Sequence, residues 1–191
     1  MTSEPRSAAV DYPGGVHVRF RWAGSGQGQA VFALSQSGGQ LIDHGALVSA
    51  DPDRLCRAEL RVETPAGPWA ARLASPLFDE PAALLWDSAA LLVVRYGFVT
   101  YAFEARSGEL RWTHRSGSPV SVILGSSRLP HVIVQAEVET FAIGADGEVA
   151  WRVAHSDVVT EAELVGGRLV LTGYSGQLTA LDPRTGRTAT G

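Results

Sequence analysis

Three glycine corners constrain this chain more than anything else in it. Gly108, Gly147 and Gly186 follow one another at a constant 39 residues (147 − 108 and 186 − 147), and Trp112 and Trp151 keep the same interval (151 − 112). Around them one phrase is written three times. It runs from Tyr101-Ala102-Phe103-Glu104 to Trp112, from Phe141-Ala142-Ile143 to Trp151, and from Thr179-Ala180-Leu181-Asp182 to Gly186. A period of roughly 40 residues built from short apolar runs marks a propeller or another stacked β array. In such an array each repeat is a sheet that buries its faces only against its neighbours.

Along the chain, Met1 to Pro13 is polar and without period, and reads as a disordered tail (1–13). Val16-His17-Val18-Arg19-Phe20-Arg21-Trp22 alternates strictly, predicting a strand that buries Val16, Val18, Phe20 and Trp22. Gly24-Ser25-Gly26-Gln27-Gly28-Gln29 resembles a phosphate loop only superficially. Its third glycine position is Gln29, and the run after it is too short for the helix a pyrophosphate needs, so a hairpin connection is expected. Ala33 to Leu41 has the outline of a degenerate copy, and Leu55 to Val62 is a strand followed by the turn Glu63-Thr64-Pro65-Ala66-Gly67-Pro68-Trp69. Residues 14–191 are thus expected to form one domain, with a degenerate β part at 14–81 and three regular repeats at 82–191. Leu91 to Val94, Val132 to Val134 and Leu169 to Leu171 are equivalent apolar runs, read as the innermost strand of each repeat and buried on both faces. The fold class is therefore all-β, a propeller-like array of four-stranded antiparallel blades. Three blades are clear and one or two degenerate, in an incomplete or five-bladed ring.

Composition removes several chemistries. All 16 positive charges are arginine, so a phosphate-loop lysine, a Schiff-base lysine and a serine–lysine dyad are excluded. One cysteine, Cys56, leaves no intrachain disulfide and no thiolate zinc site. A formal net charge of −4 argues against nucleic acid as a partner. No apolar run approaches the roughly 20 residues of a membrane span, and the first residues do not read as a signal peptide. A cytoplasmic protein without membrane contact is expected.

The repeats resemble the PQQ-like β-propeller repeat, whose unit has the outline Ala-x-Asp-x-x-Thr-Gly-x-x-x-Trp. Ala102 to Trp112 matches with Glu104 and Ser107 in the acidic and hydroxyl places. Ala142 to Trp151 is one residue shorter, and Ala180 to Gly186 matches up to the glycine, with Thr190 standing where tryptophan belongs. The resemblance implies a turn closed by its own carboxylate and a tryptophan that caps the contact between blades. Quinone-binding relatives are long secreted rings. This sequence has neither an adjacent-cysteine pair nor a calcium-type acidic cluster, so no cofactor is expected.

Candidate sites are sparse. His17, His44, His114, His131 and His155 lack the tight spacing of metal ligands, and no metal site is expected. Asp43, His44, Asp51, Asp53 and Cys56 form the densest titratable group, the place for a hydrolase if there is one. Tyr96 and Tyr174 occupy equivalent turns in the first and third repeats. With Arg95, Arg111 and Arg152 they are the candidate interface, since exposed aromatic and arginine side chains anchor protein contacts.

The function expected is a non-catalytic protein-binding or scaffolding module. Its net acidity favours a basic partner, as for an inhibitor or immunity-type protein. The alternatives are a small-molecule or carbohydrate binder with an arginine-rimmed aromatic pocket, and the hydrolase. If the array is open, a homodimer is expected, or closure of the last blade by the Val16 to Trp22 strand.

Overall fold

The structure, a computed structural model, describes residues 4–25, 41–43 and 54–189. These form sixteen strands in four sheets. The first sheet contains β1 (Arg6–Tyr12), β2 (Val16–Ala23), β3 (Leu41–Asp43), β4 (Cys56–Thr64) and β5 (Gly67–Ser75) in the order β1-β2-β4-β5-β3. The second and third are four-stranded meanders: β6 (Ala82–Trp86), β7 (Leu91–Tyr96), β8 (Val99–Glu104) and β9 (Leu110–Arg115), then β10 (Val120–Leu124), β11 (His131–Ala136), β12 (Glu139–Gly144) and β13 (Val149–Ala154). The fourth has three strands, β14 (Val159–Val165), β15 (Arg168–Gly173) and β16 (Leu178–Leu181). All pairings are antiparallel except that of β3 with β5. The all-β, blade-by-blade architecture read from the repeat is the one observed.

The first sheet is the degenerate blade. β1, β2, β4 and β5 take the four places that β6 to β9 take in the next sheet. The link between its second and third strands is a long insertion that returns β3 to the outer edge. In the second and third sheets the corresponding hairpins are two-residue turns, Gly97-Phe98 and Glu137-Val138. The supposed copy at 33–40 and most of the glycine-rich turn lie outside the described residues.

Three sequence expectations change here. Residues 6–12 are not a loose tail but β1, paired residue for residue with β2; Ala8 and Tyr12 pack on the core, and the Tyr12 hydroxyl donates to the Ala83 carbonyl at 2.7 Å. The signal was weak because the inward residues alternate with small and polar ones. The Val16–Trp22 strand does bury Val16, Val18, Phe20 and Trp22, but it pairs with β1 and β4 inside the first sheet and does not complete the last blade. Finally, β7, β11 and β15 are second strands and not innermost ones. β6, β10 and β14 lie further in, with β10 packed against both others, and their half-buried, mixed composition had hidden them.

The core is a set of three slabs, one per junction. Leu92 and Val94 of β7 join the slab shared with the first sheet, and their neighbours Leu91 and Val93 join the slab shared with the third. That is why this run is apolar throughout instead of alternating. Each junction is pinned by one tryptophan. The indole N–H of Trp69 donates to the Ala105 carbonyl (2.9 Å), Trp112 to Ala145 (3.2 Å) and Trp151 to Pro183 (3.1 Å). Each ring lies on the glycine corner of the next sheet. A Cβ built on Gly108, Gly147 or Gly186 would fall 2.5, 2.8 and 2.5 Å from Trp69, Trp112 and Trp151, and all three glycines have positive φ (73°, 87° and 68°). The constant spacing therefore encodes a docking step of ring onto glycine, repeated from sheet to sheet.

Candidate interaction surface

Neighbouring sheets are stitched at their hairpins as well as at their corners. The first strand of one sheet donates to the turn of the sheet before it: Val120 N–H to the Gly97 carbonyl (2.8 Å) and Val159 N–H to the Glu137 carbonyl (2.7 Å). The turn in the fourth sheet, Tyr174-Ser175-Gly176, is the next in this series. It is one residue longer than its counterparts, and its carbonyls meet no such strand among the described residues. Asp157 shapes it by accepting from the Ser175 N–H (2.9 Å) and Ser175 hydroxyl (2.7 Å), bonds that hold its carboxyl below the usual carboxylate range.

The extra residue separates the two tyrosines that the sequence reading had treated as equivalent. Tyr96 ends β7 and is completely buried, and burial raises its phenol pKa far above the usual value, so it offers nothing to a partner. Tyr174 lies in the loop and is 82% exposed. Arg95 is mostly buried and committed to the Asp79 carboxylate (2.9 Å) and the Val120 carbonyl (3.1 Å), a structural role and not an interface one. Arg111 is exposed beside Glu109 at 3.5 Å. Arg152 bridges sheets: it lies over the Phe141 ring, reaches Glu139 at 3.5 Å and meets His114 Nε2 at 3.0 Å. Burial, then this arginine, lowers the His114 pKa. The five residues fall on three sheets, and Tyr174, Arg111 and Arg152 are the exposed ones among them.

His44, Asp51 and Asp53 lie outside the described residues, Asp43 is placed only as backbone opposite Arg72, and Cys56 is buried. Burial raises its thiol pKa, which suppresses the thiolate that a nucleophile requires. The other histidines are dispersed. His17 pairs with Asp11 (2.7 Å), His155 with the Thr140 hydroxyl (2.6 Å), and buried His131 with the Pro183 carbonyl (2.7 Å) that Trp151 also uses. Among the described residues no three His, Cys, Asp or Glu side chains are grouped to hold a metal ion. A cleft of about 560 Å³ lined by Ser126, Arg128, Leu129, Leu164, Pro183 and Arg184 contains arginines but no aromatic ring, and Arg184 is spent on the Arg128 carbonyl (2.7 Å).

The surface that sequence reasoning missed is the outer face of the fourth sheet. Register aligns Glu163, Val170 and Ala180 in one row across it and Glu161, Thr172 and Leu178 in the next. The equivalents of Val170 and Ala180 are Val93 and Ala102 in the second sheet and Ile133 and Ala142 in the third, all fully buried by the sheet that follows. Here no sheet follows among the described residues. Leu178 is 67% exposed and Val165 53%, and among the described residues the fourth-strand place holds Thr188, bridged to Leu181, and Ala189, which donates to the Ala180 carbonyl at 2.9 Å. The period was visible in the sequence, but which repeat came last in space was not.

Four sheets stacked through tryptophan–glycine junctions, with no further sheet beyond the first or the fourth among the described residues, define a partial β-propeller. Residues 95–189 match the family described as outer membrane protein assembly factor BamB. The chain belongs to the PQQ-like β-propeller repeat family. Among solved structures, BamB from Moraxella catarrhalis is 15% identical and superimposes with a TM-score of 0.54, over 100% of this chain and 50% of its own. The dihydro-heme d1 dehydrogenase NirN, in complex with DHE, is 16% identical with a TM-score of 0.53, over 97% of this chain and 47% of its own. The likeness is one of fold, and the chain spans about half the length of both. No curated protein matches the sequence.

Proposed function

We propose that this protein is a non-catalytic protein-binding module that docks its partner on the outer face of the fourth sheet. One observation supports this reading above the others: positions that are completely buried in the two preceding sheets are only half-buried here, at Val170 and Ala180, and Leu178 in the next row is 67% exposed. A contiguous apolar patch of that kind, rimmed by polar groups, is where soluble proteins bind other proteins. Glu161 and Glu163 lie in the same rows, and with the net charge of −4 they favour a partner that brings arginine or lysine. Side-chain burial supplies the affinity, and the carboxylates select and orient.

The test is hydrogen exchange on the protein with and without its partner, alongside Leu178→Asp. The expected result is protection gained over 158–180 and a stoichiometric complex that Leu178→Asp abolishes while the melting temperature holds. A complex indifferent to Leu178→Asp, with protection elsewhere, would overturn the reading.

A further inference from the structure

We infer that the junction between the second and third sheets carries a proton-operated latch, closed by neutral His114 and released when His114 takes up a proton. Trp112 and His114 lie two residues apart on the outer strand β9 and share the face that meets the third sheet. Trp112 donates across the junction to the Ala145 carbonyl, whereas His114 accepts: its Nε2 lies 3.0 Å from the Arg152 guanidinium. A guanidinium has donors only, so this nitrogen carries no proton. The contact therefore requires the neutral ring, protonated on Nδ1. Phe141 backs both groups, its ring centroid 4.6 Å from that of the imidazole and 5.3 Å from the guanidinium carbon.

A proton on Nε2 turns this acceptor into a donor and sets an imidazolium against a guanidinium. Arg152 and Glu139 are the charged groups that face His114 from the third sheet, so one carboxylate would balance two cations. That carboxylate is already shared between Arg152 (3.5 Å) and the Gly117 N–H (2.8 Å). Within the second sheet the uncharged Thr100 lies opposite His114, and Arg115 turns to the other face, over the Phe98 ring. Burial first, and then Arg152, lowers the His114 pKa, and Glu139 opposes them. The latch is thus closed above the unperturbed histidine value of about 6.5 and is released as pH falls below it. At the other two junctions Ala71 and Val153, each two residues after its tryptophan, stand in the place of His114. The latch therefore belongs to one joint of the three.

Magnetic resonance of the full chain from pH 8 to pH 5, following the His114 ring nitrogens and the indole N–H of Trp112, tests this. At pH 8 the His114 proton is expected on Nδ1. On acidification the Trp112 signal should move with the same midpoint as His114, below the usual histidine value, while the methyl signals of Leu60 and Val62 in the slab shared by the first and second sheets hold still. Arg152→Gln removes the facing charge and should move the His114 midpoint up. His114→Gln leaves Arg152 a permanent acceptor and should hold the Trp112 signal at its high-pH position throughout. Four results would overturn the inference: a His114 ring protonated on Nε2 at pH 8, a Trp112 signal that stays put in the wild type, one that still moves in His114→Gln, or a midpoint that Arg152→Gln leaves unmoved. The first two are read on the wild type, so a variant that fails to fold does not spare the inference.

Discussion

The first and fourth sheets are built from the same repeat, and each has one face without a neighbouring sheet among the described residues, yet those faces have opposite chemistry. The first carries five arginines, of which Arg19 is exposed and the other four are half-buried, Arg61 paired with the buried Glu59. The fourth turns out Val170, Leu178 and Ala180 with two glutamates. A polar outer face is what a terminal repeat needs if it is to remain in water. The face of the first sheet is therefore polar, whereas that of the fourth keeps the residues of an internal blade. The difference is not in the strands but in what alternate positions carry.

The largest effects should come from the junctions between these ends. Trp69→Ala and Trp151→Ala remove buried rings that span two sheets and lose the hydrogen bonds to Ala105 and Pro183. Each should cost about 3–5 kcal/mol in denaturant unfolding. Trp112→Ala should cost less, since that ring is only half-buried. Equal losses at all three would show that the pinning bond, and not burial, carries the junction. Next in size, Gly147→Ala places a methyl group 2.8 Å from Trp112 at a φ of 87° and should cost about 1–3 kcal/mol. Gly166→Ala, at a φ of 58° with nothing within 4 Å of its Cβ, isolates the backbone contribution and should cost less.

The two faces of the fourth sheet give a sharper contrast. Leu181→Ser opens the slab shared with the third sheet and should cost about 2–4 kcal/mol, whereas Leu178→Ser on the uncovered face should stay within about 0.5 kcal/mol in the dilute protein. A large loss at Leu178 under dilute conditions would mean that the face is already covered.

These contrasts also show what the sequence could disclose. The glycine corners, the tryptophans and the doubly buried runs at Leu91 to Val94 and Val132 to Val134 were legible because packing between sheets demands them at fixed places. β1, β6, β10 and β14 were not, because first strands are half-buried and admit Ser, Glu and Ala beside their apolar residues. The candidate surface was legible only at Tyr174. Its partner in the reading, Tyr96, went inward because a loop one residue shorter turns that position into the end of a strand. Val170 and Ala180 look like core in sequence, and only the absence of a following sheet among the described residues makes them surface.

The smallest effect expected is in pH dependence, and it probes the interior of the stack. His155 sits against the Thr140 hydroxyl in the third sheet, and burial lowers its pKa below the usual histidine value. A group whose pKa falls on folding binds fewer protons folded than unfolded, so its contribution is complete above the unfolded pKa of about 6.5. It is lost as pH falls from there through the folded pKa. Stability should therefore decline from pH 7.5 toward pH 5, and His155→Gln should flatten that part of the profile while keeping a hydrogen bond to Thr140. Chemical denaturation at four pH values, with the wild type and His155→Gln in parallel, decides it. A profile as steep in His155→Gln as in the wild type would show that the titrating group lies elsewhere.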